Sequence, residues 1–282
     1  MVEWSDPAAQ RWLLGMELRH YREAAGLPAV SSARELGCTG GKINHIESGR
    51  NLPQASEVAA LLKLYDAPSE EIERLVMLAE RDEQRAWWTP WSDVVAPWFE
   101  LFAGLEGRAS HEFLYEPVLI PGLLQTEAYA HAVTEASPRI RADHVDRFVE
   151  FRRARTTMLT REVPLQLTVV IAEAALRLDI GNPDALCDQH RHLLDLGKLP
   201  NVDLRVLRPE DGIHSGFTGA FALLDFEYAH SVGYIELQDD AVYIQDRSRI
   251  RGYAMAAENL RHVALSPLDS AELIESFASQ RV

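Results

Sequence analysis

GGKINHIESGRNLP, residues 40–53, decides how the front of this chain is read. Thr39 stands just before it as a helix cap, Ser48-Gly49 closes the helix, and Pro53 marks a break before the next element. The spacing predicts a short helix over roughly 40–47. Two glycines open it, and each costs about 1 kcal/mol of helix stability relative to alanine. A second short helix is expected over 28–37. The two are joined by the tight turn Gly37-Cys38-Thr39.

Working outward, WLLGMELRHYREAA (12–25) places Leu14, Leu18, Tyr21 and Ala25 on one face at helical spacing, and Gly26 stops it. SEVAALLKLYDA (56–67), with Ser56 as candidate cap, makes a fourth helix. SEEIERLVMLAERDEQRAWW (69–88) makes a fifth, with Glu70, Glu71 and Glu73 behind Ser69. The helices at 28–37 and 40–47 are thus the second and third of a five-helix array, and as a pair they fit a helix-turn-helix. In that geometry the second helix of the pair lies in the major groove with its N-terminal side chains on base edges, while the first crosses the backbone.

The flanking residues make the pattern more specific. Leu18, Arg19, Arg22, Gly26, Leu27, Leu36, Gly37, Lys42, Ile43, Ile46, Glu47, Gly49, Arg50 and Pro53 resemble the pattern of the Xre/phage-repressor family. The resemblance implies a five-helix DNA-binding domain working as a dimer on double-stranded operator DNA. It also implies an ion pair between Arg22 and Glu47 that ties the first helix to the recognition helix. The departures are informative. Pro28-Ala29 replace the usual Thr/Ser-Gln, Ser32 stands where an apolar core residue is expected, and Gly40 and Gly41 replace side chains that reach bases. The candidate DNA-binding set is therefore Thr39, Gly40, Gly41, Lys42, Asn44, His45 and Arg50, a thinned reading head on an intact scaffold.

Composition sets the limits. At 282 residues the chain exceeds one typical domain, and 47% hydrophobic with 25% charged residues suits a soluble globular protein. No stretch of eighteen apolar residues suggests a membrane span, and MVEWSDPAAQRW lacks the layout of a secretory signal. Cys38 and Cys187 form neither a disulfide framework nor a metal-ligand pair, so a reducing cytoplasm is expected. The net charge of −15 argues against coating nucleic acid by bulk positive field. Residues 1–63 are nevertheless neutral, with seven basic and seven acidic side chains. The rest of the chain holds 21 basic against 36 acidic.

WWTPWSDVVAPWF (87–99) concentrates four of the six tryptophans. It reads as a hydrophobic junction between domains, or alternatively as a partner or dimer surface, because tryptophan is enriched at interface hot spots. Candidates for such a surface are Trp87, Trp88, Trp91 and Trp98, with Gly122, Leu123 and Gln125 of the P-G-L-L-Q-T run. Beyond it, helices are expected at 98–109, 121–136, 145–162, 183–198, 248–265 and 266–279. Strands are expected at 164–171, 202–207, 219–226, 232–237 and 241–246, the last three as an antiparallel meander. The fold class is thus an all-α head, residues 1–85, followed by an α+β body, residues 86–282, with one mixed or antiparallel sheet of about five strands.

The body has its own resemblance. YEPVLIPGLLQTEAYA (115–130), LDLGKLPNVDLRVL (194–207), SGFTGAFALLDF (215–226) and RHVALSPLDSAELI (261–274) look like the DUF5753 domain of an actinobacterial regulator family. That family carries an Xre-type head and is described as antitoxin-like, of the Scr1 type. It implies a small DUF397-type protein, encoded nearby, as partner. It carries over no catalytic residue, no cofactor and no metal.

Catalytic and metal readings of the residues are weaker. Ser215 in GIHSGFTG is outside a G-x-S-x-G elbow, and the stretch reads as a glycine-rich hinge. His190 and His192 at i, i+2 point to different helix faces and read as solvated or capping. RRARTTMLTR (152–161) reads as a solvated basic helix face. The expected function is a dimeric DNA-binding regulator whose body binds the small partner or an effector. The alternative is an antitoxin-like interaction module with vestigial DNA binding.

Overall fold

Asp6 and Pro7 set the start of the first helix. In the computed structural model, which describes residues 4–80 and 85–279, the Asp6 carboxylate accepts from the Ala8 and Ala9 amides at 2.7 and 2.9 Å. Pro7 sits in the first turn, where no amide hydrogen is needed. Helix α1 (Pro7–Ala24) is followed by α2 (Ala29–Glu35), α3 (Gly40–Glu47), α4 (Ala55–Leu64) and α5 (Ser69–Glu80), the five helices expected of the head. Their core is Leu13, Leu14 and Leu18 of α1 with Ile43, Ile46, Leu61, Leu62, Leu75 and Leu78.

Two local expectations need correction. Helix α4 starts one residue before Ser56, and the Gln54 amide donates to the Glu57 carboxylate at 2.9 Å, so Glu57 rather than Ser56 closes the first turn. Helix α5 does not run on to Trp88: residues 85–88 form bends and turns, and 81–84 of that expectation lie outside the described residues.

The chain divides into two compact units. The first takes Met1–Thr89 with Pro97–Ala109 and Asp225–Ser231; the second takes Pro90–Ala96, Ser110–Leu224 and Val232–Val282. Besides residues 86–89, two further segments on the body side of a cut at 85/86 therefore cluster with the head. One of them forms α6 (Pro97–Arg108), which packs on α1. Trp87 is buried there, its ring 4.5 Å from that of Trp4 and its Nε1 donating to the Ala103 carbonyl at 2.9 Å. Trp88 Nε1 donates to Asp6 Oδ2 at 2.7 Å, and Trp98 meets Phe99 edge-on. Trp87 is core, and is unavailable as a contact surface in the folded chain.

The second unit carries one six-stranded sheet in the order β3-β2-β1-β4-β5-β6. Its strands are β1 (His111–Glu116), β2 (Gln166–Ala172), β3 (Val202–Leu207), β4 (Phe221–Asp225), β5 (Val232–Glu236) and β6 (Ala241–Ile244). Strands β1, β2 and β3 pair in parallel, with His111 opposite Gln166 and Leu167 opposite Val202. The crossovers are helical: α7 (Glu127–Glu135) and α8 (Val145–Thr156) lie between β1 and β2, and α9 (Glu173–Leu176) and α10 (Pro183–Leu196) between β2 and β3. Strands β4, β5 and β6 form the expected antiparallel meander. Strand β2 buries Leu167, Val169, Val170 and Ile171, as an interior parallel strand covered on both faces should. Helix α11 (Arg247–Val263) lays Ala257 and Leu260 against Phe113, Tyr115, Phe221 and Leu223, and α12 (Pro267–Ser279) packs on α10 and β3.

The sixth strand, β1, is the one not anticipated. HEFLYE interrupts its apolar alternation with Glu112, which is buried. The P-G-L-L-Q-T run also differs from the surface role expected of it. Gly122–Leu124 form a single 3₁₀ turn, Leu123 and Gln125 are buried, and Gln125 Nε2 donates to the Ile120 carbonyl at 2.7 Å. Arg152 donates to Gln125 Oε1 at 2.7 Å, and its guanidinium lies 5.1 Å from the Phe148 ring centroid. Arg155 is buried and sits 5.9 Å from the Phe151 centroid. The basic face of α8 is therefore partly buried rather than solvated. Burial pushes Arg152 down to about 10, with the neighbouring Arg155 cation adding to the shift.

Candidate nucleic-acid interface

The turn between α2 and α3 is built from conformations the sequence signals locally. Gly37 adopts φ +59°, a left-handed position that glycine fills without strain. Thr39 is extended and its hydroxyl accepts from the Lys42 amide at 3.3 Å, capping α3. At the other end Gly49 has φ +72°, and a Cβ there would stand 2.7 Å from Trp12 Cα. The Arg50 amide donates to the His45 carbonyl at 2.8 Å, which fixes the backbone of Arg50 against the helix end.

Helix α3 turns Ile43 and Ile46 into the core. At 100° per residue, Gly40, Gly41, Asn44 and His45 share the opposite face. Asn44 and His45 are exposed, so they are the two side chains this face presents. A Cβ at Gly40 would meet nothing within 4 Å, and one at Gly41 only Thr39 Oγ1 at 3.7 Å. The fold leaves room for side chains at both positions, and the sequence supplies none.

Scaffold contacts hold this face in place. Arg22 Nε and one terminal nitrogen donate to the two Glu47 carboxylate oxygens at 2.6 and 2.8 Å, and the other terminal nitrogen donates to the Leu27 carbonyl at 2.8 Å. The Glu47 bond holds the Arg22 guanidinium above its ordinary range. Ser32, standing at an apolar position, is fully buried and shares a 2.7 Å hydrogen bond with the Tyr65 hydroxyl. That pair satisfies the polar group that the departure introduces.

Lys42 does not point freely toward a ligand. Its Nζ is paired with the Glu57 carboxylate, and this bond raises the lysine above its ordinary range. Lys42, Glu57, Arg50, Asn51 and Gln54 line a shallow depression beside α3, together with Arg11 of α1. Arg11 Nε donates to the Gly49 carbonyl at 3.3 Å. No local signal marks Arg11, because only the packing of α1 against α3 brings it there. Thr39, Asn44, His45 and Arg50 are exposed on the same short segment, whereas Trp87, Leu123 and Gln125 belong to cores elsewhere.

The remaining candidates resolve into structural roles. Ser215 Oγ and its amide both donate to Asn259 Oδ1 at 2.9 Å, with Gly212 and Gly219 at positive φ as hinges. His190 is buried rather than solvated, a ring nitrogen lies 2.9 Å from the Leu176 carbonyl, and burial holds its pKa below the ordinary histidine value. Among the described residues no group of three His, Cys, Asp or Glu side chains is placed to hold a metal, and no helix is long and apolar enough to cross a membrane.

Comparison with protein families agrees with this layout. A helix-turn-helix domain model matches residues 13–75, the span from α1 into α5. The model described as a domain of unknown function, DUF5753, matches residues 99–276, more than half of the chain. The chain belongs to the DUF5753 family. The helix-turn-helix match points to a DNA-binding regulatory role rather than catalysis, while the DUF5753 description assigns the larger region no function. No curated protein and no solved structure matches the chain.

Proposed function

We propose that the chain is a cytoplasmic, dimeric transcriptional regulator of the Xre type, whose helix-turn-helix binds operator DNA. In this reading the DUF5753 region binds a small DUF397-type protein or an effector. The observation that carries the DNA-binding half is the exposed α3 face, where Asn44 and His45 project beside the cationic lip of Arg11 and Arg50. Asparagine suits the paired donor and acceptor of adenine in the major groove, and arginine suits phosphate. Thr39 and the bare Gly40-Gly41 edge let the helix backbone come close to the DNA. The body supports a binding role through its size and its resemblance to antitoxin-like regulators.

The test is a gel shift on the DNA upstream of the gene, with wild type and an Asn44→Ala/His45→Ala variant. Specific retention by wild type should fall by about 1–3 kcal/mol per lost base contact, leaving weak non-specific binding. Equal affinity of both proteins for every duplex would remove specific readout by α3. Sedimentation tests the dimer, and co-purification tests the small partner.

A second reading is favoured by two specific observations: the bare edge of α3 and the engagement of Lys42 by Glu57. Both lower what the head offers to DNA. Under it, the chain acts chiefly as an antitoxin-like interaction module, and the gel shift gives only salt-sensitive, non-specific binding.

A further inference from the structure

Strand β1 ends on Glu116, where the strand order of the sheet reverses. From β1 the chain steps outward to β2 and β3, then returns to lay β4 on the other side of β1. In open α/β sheets, ligands gather beyond the carboxyl ends of the strands at such a switch. Phe113 and Tyr115 face α11, so Glu116 faces the opposite side of the sheet. Ile235 also packs toward α11, which puts Glu236, the last residue of β5, on the side of Glu116.

Three polar groups there have bonds to spare. Glu116 is half-buried, and its carboxylate forms no hydrogen bond or ion pair with any described residue. Arg152 donates to a neutral acceptor, Gln125 Oε1, at 2.7 Å, and its Nε is buried without an acceptor. The fully buried Tyr129 hydroxyl accepts from the Ile120 amide at 3.2 Å, while its own hydrogen has no acceptor among the described residues. The three act on one another: Arg152 attracts the Glu116 carboxylate, and both charges reach the Tyr129 hydroxyl. Buried polar groups left unpaired cost free energy, so three together mark a place fitted to something the chain does not supply.

The surroundings hold these groups in position. Gln125 Nε2 donates to the Ile120 carbonyl at 2.7 Å, which turns its oxygen toward Arg152. The Thr126 amide donates to Gln189 Oε1, and Gln189 Nε2 to the Leu124 carbonyl, each at 2.7 Å. Gly122 admits two guanidiniums side by side, since a Cβ there would stand 3.0 Å from Arg155 Nη1 and 3.5 Å from Arg152 Nη1. Burial pushes Glu116 up to about 7, with the Glu236 charge adding to the shift and Arg152 opposing it. The acids thus lie on the sheet and the guanidiniums on α8. An anion alone would suit Arg152 but stand against Glu116 and Glu236. A cation alone would suit Glu116 but stand against Arg152 and Arg155. A small molecule carrying both a carboxylate and an ammonium answers both sides and adds no net charge.

We propose that the carboxyl end of β1 binds a small zwitterion of the α-amino acid class, its carboxylate on Arg152 and its ammonium on Glu116. The Tyr129 hydroxyl adds a donor to the carboxylate. This rests on the reading that the body takes an effector, and it names the effector's chemistry and place.

The test is calorimetric titration of the full-length chain with each of the common free α-amino acids in turn. For any that binds, the N-acetyl form removes the ammonium and the amide form removes the carboxylate. At least one free amino acid is expected to saturate the protein, and each blocked form to bind about tenfold or more weakly. Glu116→Gln and Arg152→Met should each weaken the free amino acid by a similar factor. Arg152→Met also strands the Gln125 oxygen and can cost stability, so the blocked forms on wild type decide independently of it. Wild-type affinity should rise between about pH 6 and pH 8, as Glu116 ionises, and Glu116→Gln should lose that rise. If no amino acid binds while operator DNA or the small partner does, the zwitterion site is overturned and the regulator reading stands. If blocked forms bind as tightly as the free amino acid, or both variants bind like wild type, the site is overturned. If an amino acid binds as described but operator affinity is the same with and without it, the site stands and the effector reading falls.

Discussion

Glu17, buried in the first unit, meets the half-buried His230 213 positions away. The Glu17 carboxylate accepts from the His230 amide at 2.5 Å and lies 2.7 and 2.8 Å from His230 Nδ1, with Arg74 at 3.5 Å. Arg74 in turn holds Glu71 at 2.5 Å, which also accepts from the Tyr21 hydroxyl at 2.6 Å. Through this network the segment 225–231, whose chain neighbours are strands β4 and β5, is tied to α1 and α5 of the helix-turn-helix unit.

Burial alone would push Glu17 up, but the His230 hydrogen bonds and charge, with Arg74, hold it below its ordinary value of 4.5. A carboxylate depressed in the folded state stabilises the fold above that ordinary value, and loses this contribution as pH falls through the depressed one. Glu17→Gln should cost about 3–5 kcal/mol near neutral pH by leaving Arg74 and the His230 amide short of an acceptor. The difference in melting temperature between wild type and variant should shrink as the buffer is taken to acid. A gap that is constant down to strongly acidic pH would remove the carboxylate's role.

The Arg22–Glu47 pair is 13% and 8% exposed, so its bidentate bond is nearly desolvated. Arg22→Met or Glu47→Gln each strands one partner and should lower stability by about 3 kcal/mol, measured by denaturant unfolding. Unchanged midpoints in both variants would show that the pair does not tie α1 to α3.

Glycines of the head should divide by position. A Cβ on Gly15 would run into the Ile46 carbonyl oxygen and stand 2.9 Å from that of Glu47, because α1 and α3 meet backbone to backbone. Gly15→Ala should therefore unfold or strongly destabilise the head. Gly40→Ala and Gly41→Ala meet open space and should each stabilise by up to about 1 kcal/mol. Thermal melts of the three single variants separate these outcomes.

Glu57→Gln should release Lys42 for phosphate. The expected result is tighter non-specific DNA binding and a salt slope steeper by about one, whereas Arg50→Ala and Arg11→Ala should each flatten it by about one. Fluorescence anisotropy on a random duplex at several salt concentrations reads all three. An unchanged slope for Glu57→Gln would mean that Lys42 does not reach phosphate.

Ser32→Ala and Tyr65→Phe each leave one buried hydroxyl without its partner, costing about 1–3 kcal/mol. The double variant removes both groups and should cost clearly less than the sum of the singles. Strict additivity in denaturant unfolding would show that the two hydroxyls are not coupled.

Much of this architecture is written locally. The spacing of Ile43 and Ile46, the Thr39 cap and the Gly37 and Gly49 turns define α2–turn–α3, because each depends on residues within a few positions. The meander β4–β6 is legible for the same reason, as apolar strands separated by short turns. Relations across the fold are a different matter. Strand β1 carries a buried glutamate and finds its place only when β2 pairs with it in parallel, across two intervening helices. Arg152 and Arg155 read as a solvated stripe until the Gly122–Leu124 turn covers them. Trp87 reads as a possible surface until Ala103 accepts its indole hydrogen. Arg11 gains its place beside Arg50, and Lys42 its partner Glu57, from packing between helices. Periodicity and caps are encoded in neighbouring residues. Burial, charge pairing and the meeting of distant strands depend on which surfaces come together, and only the tertiary structure fixes that.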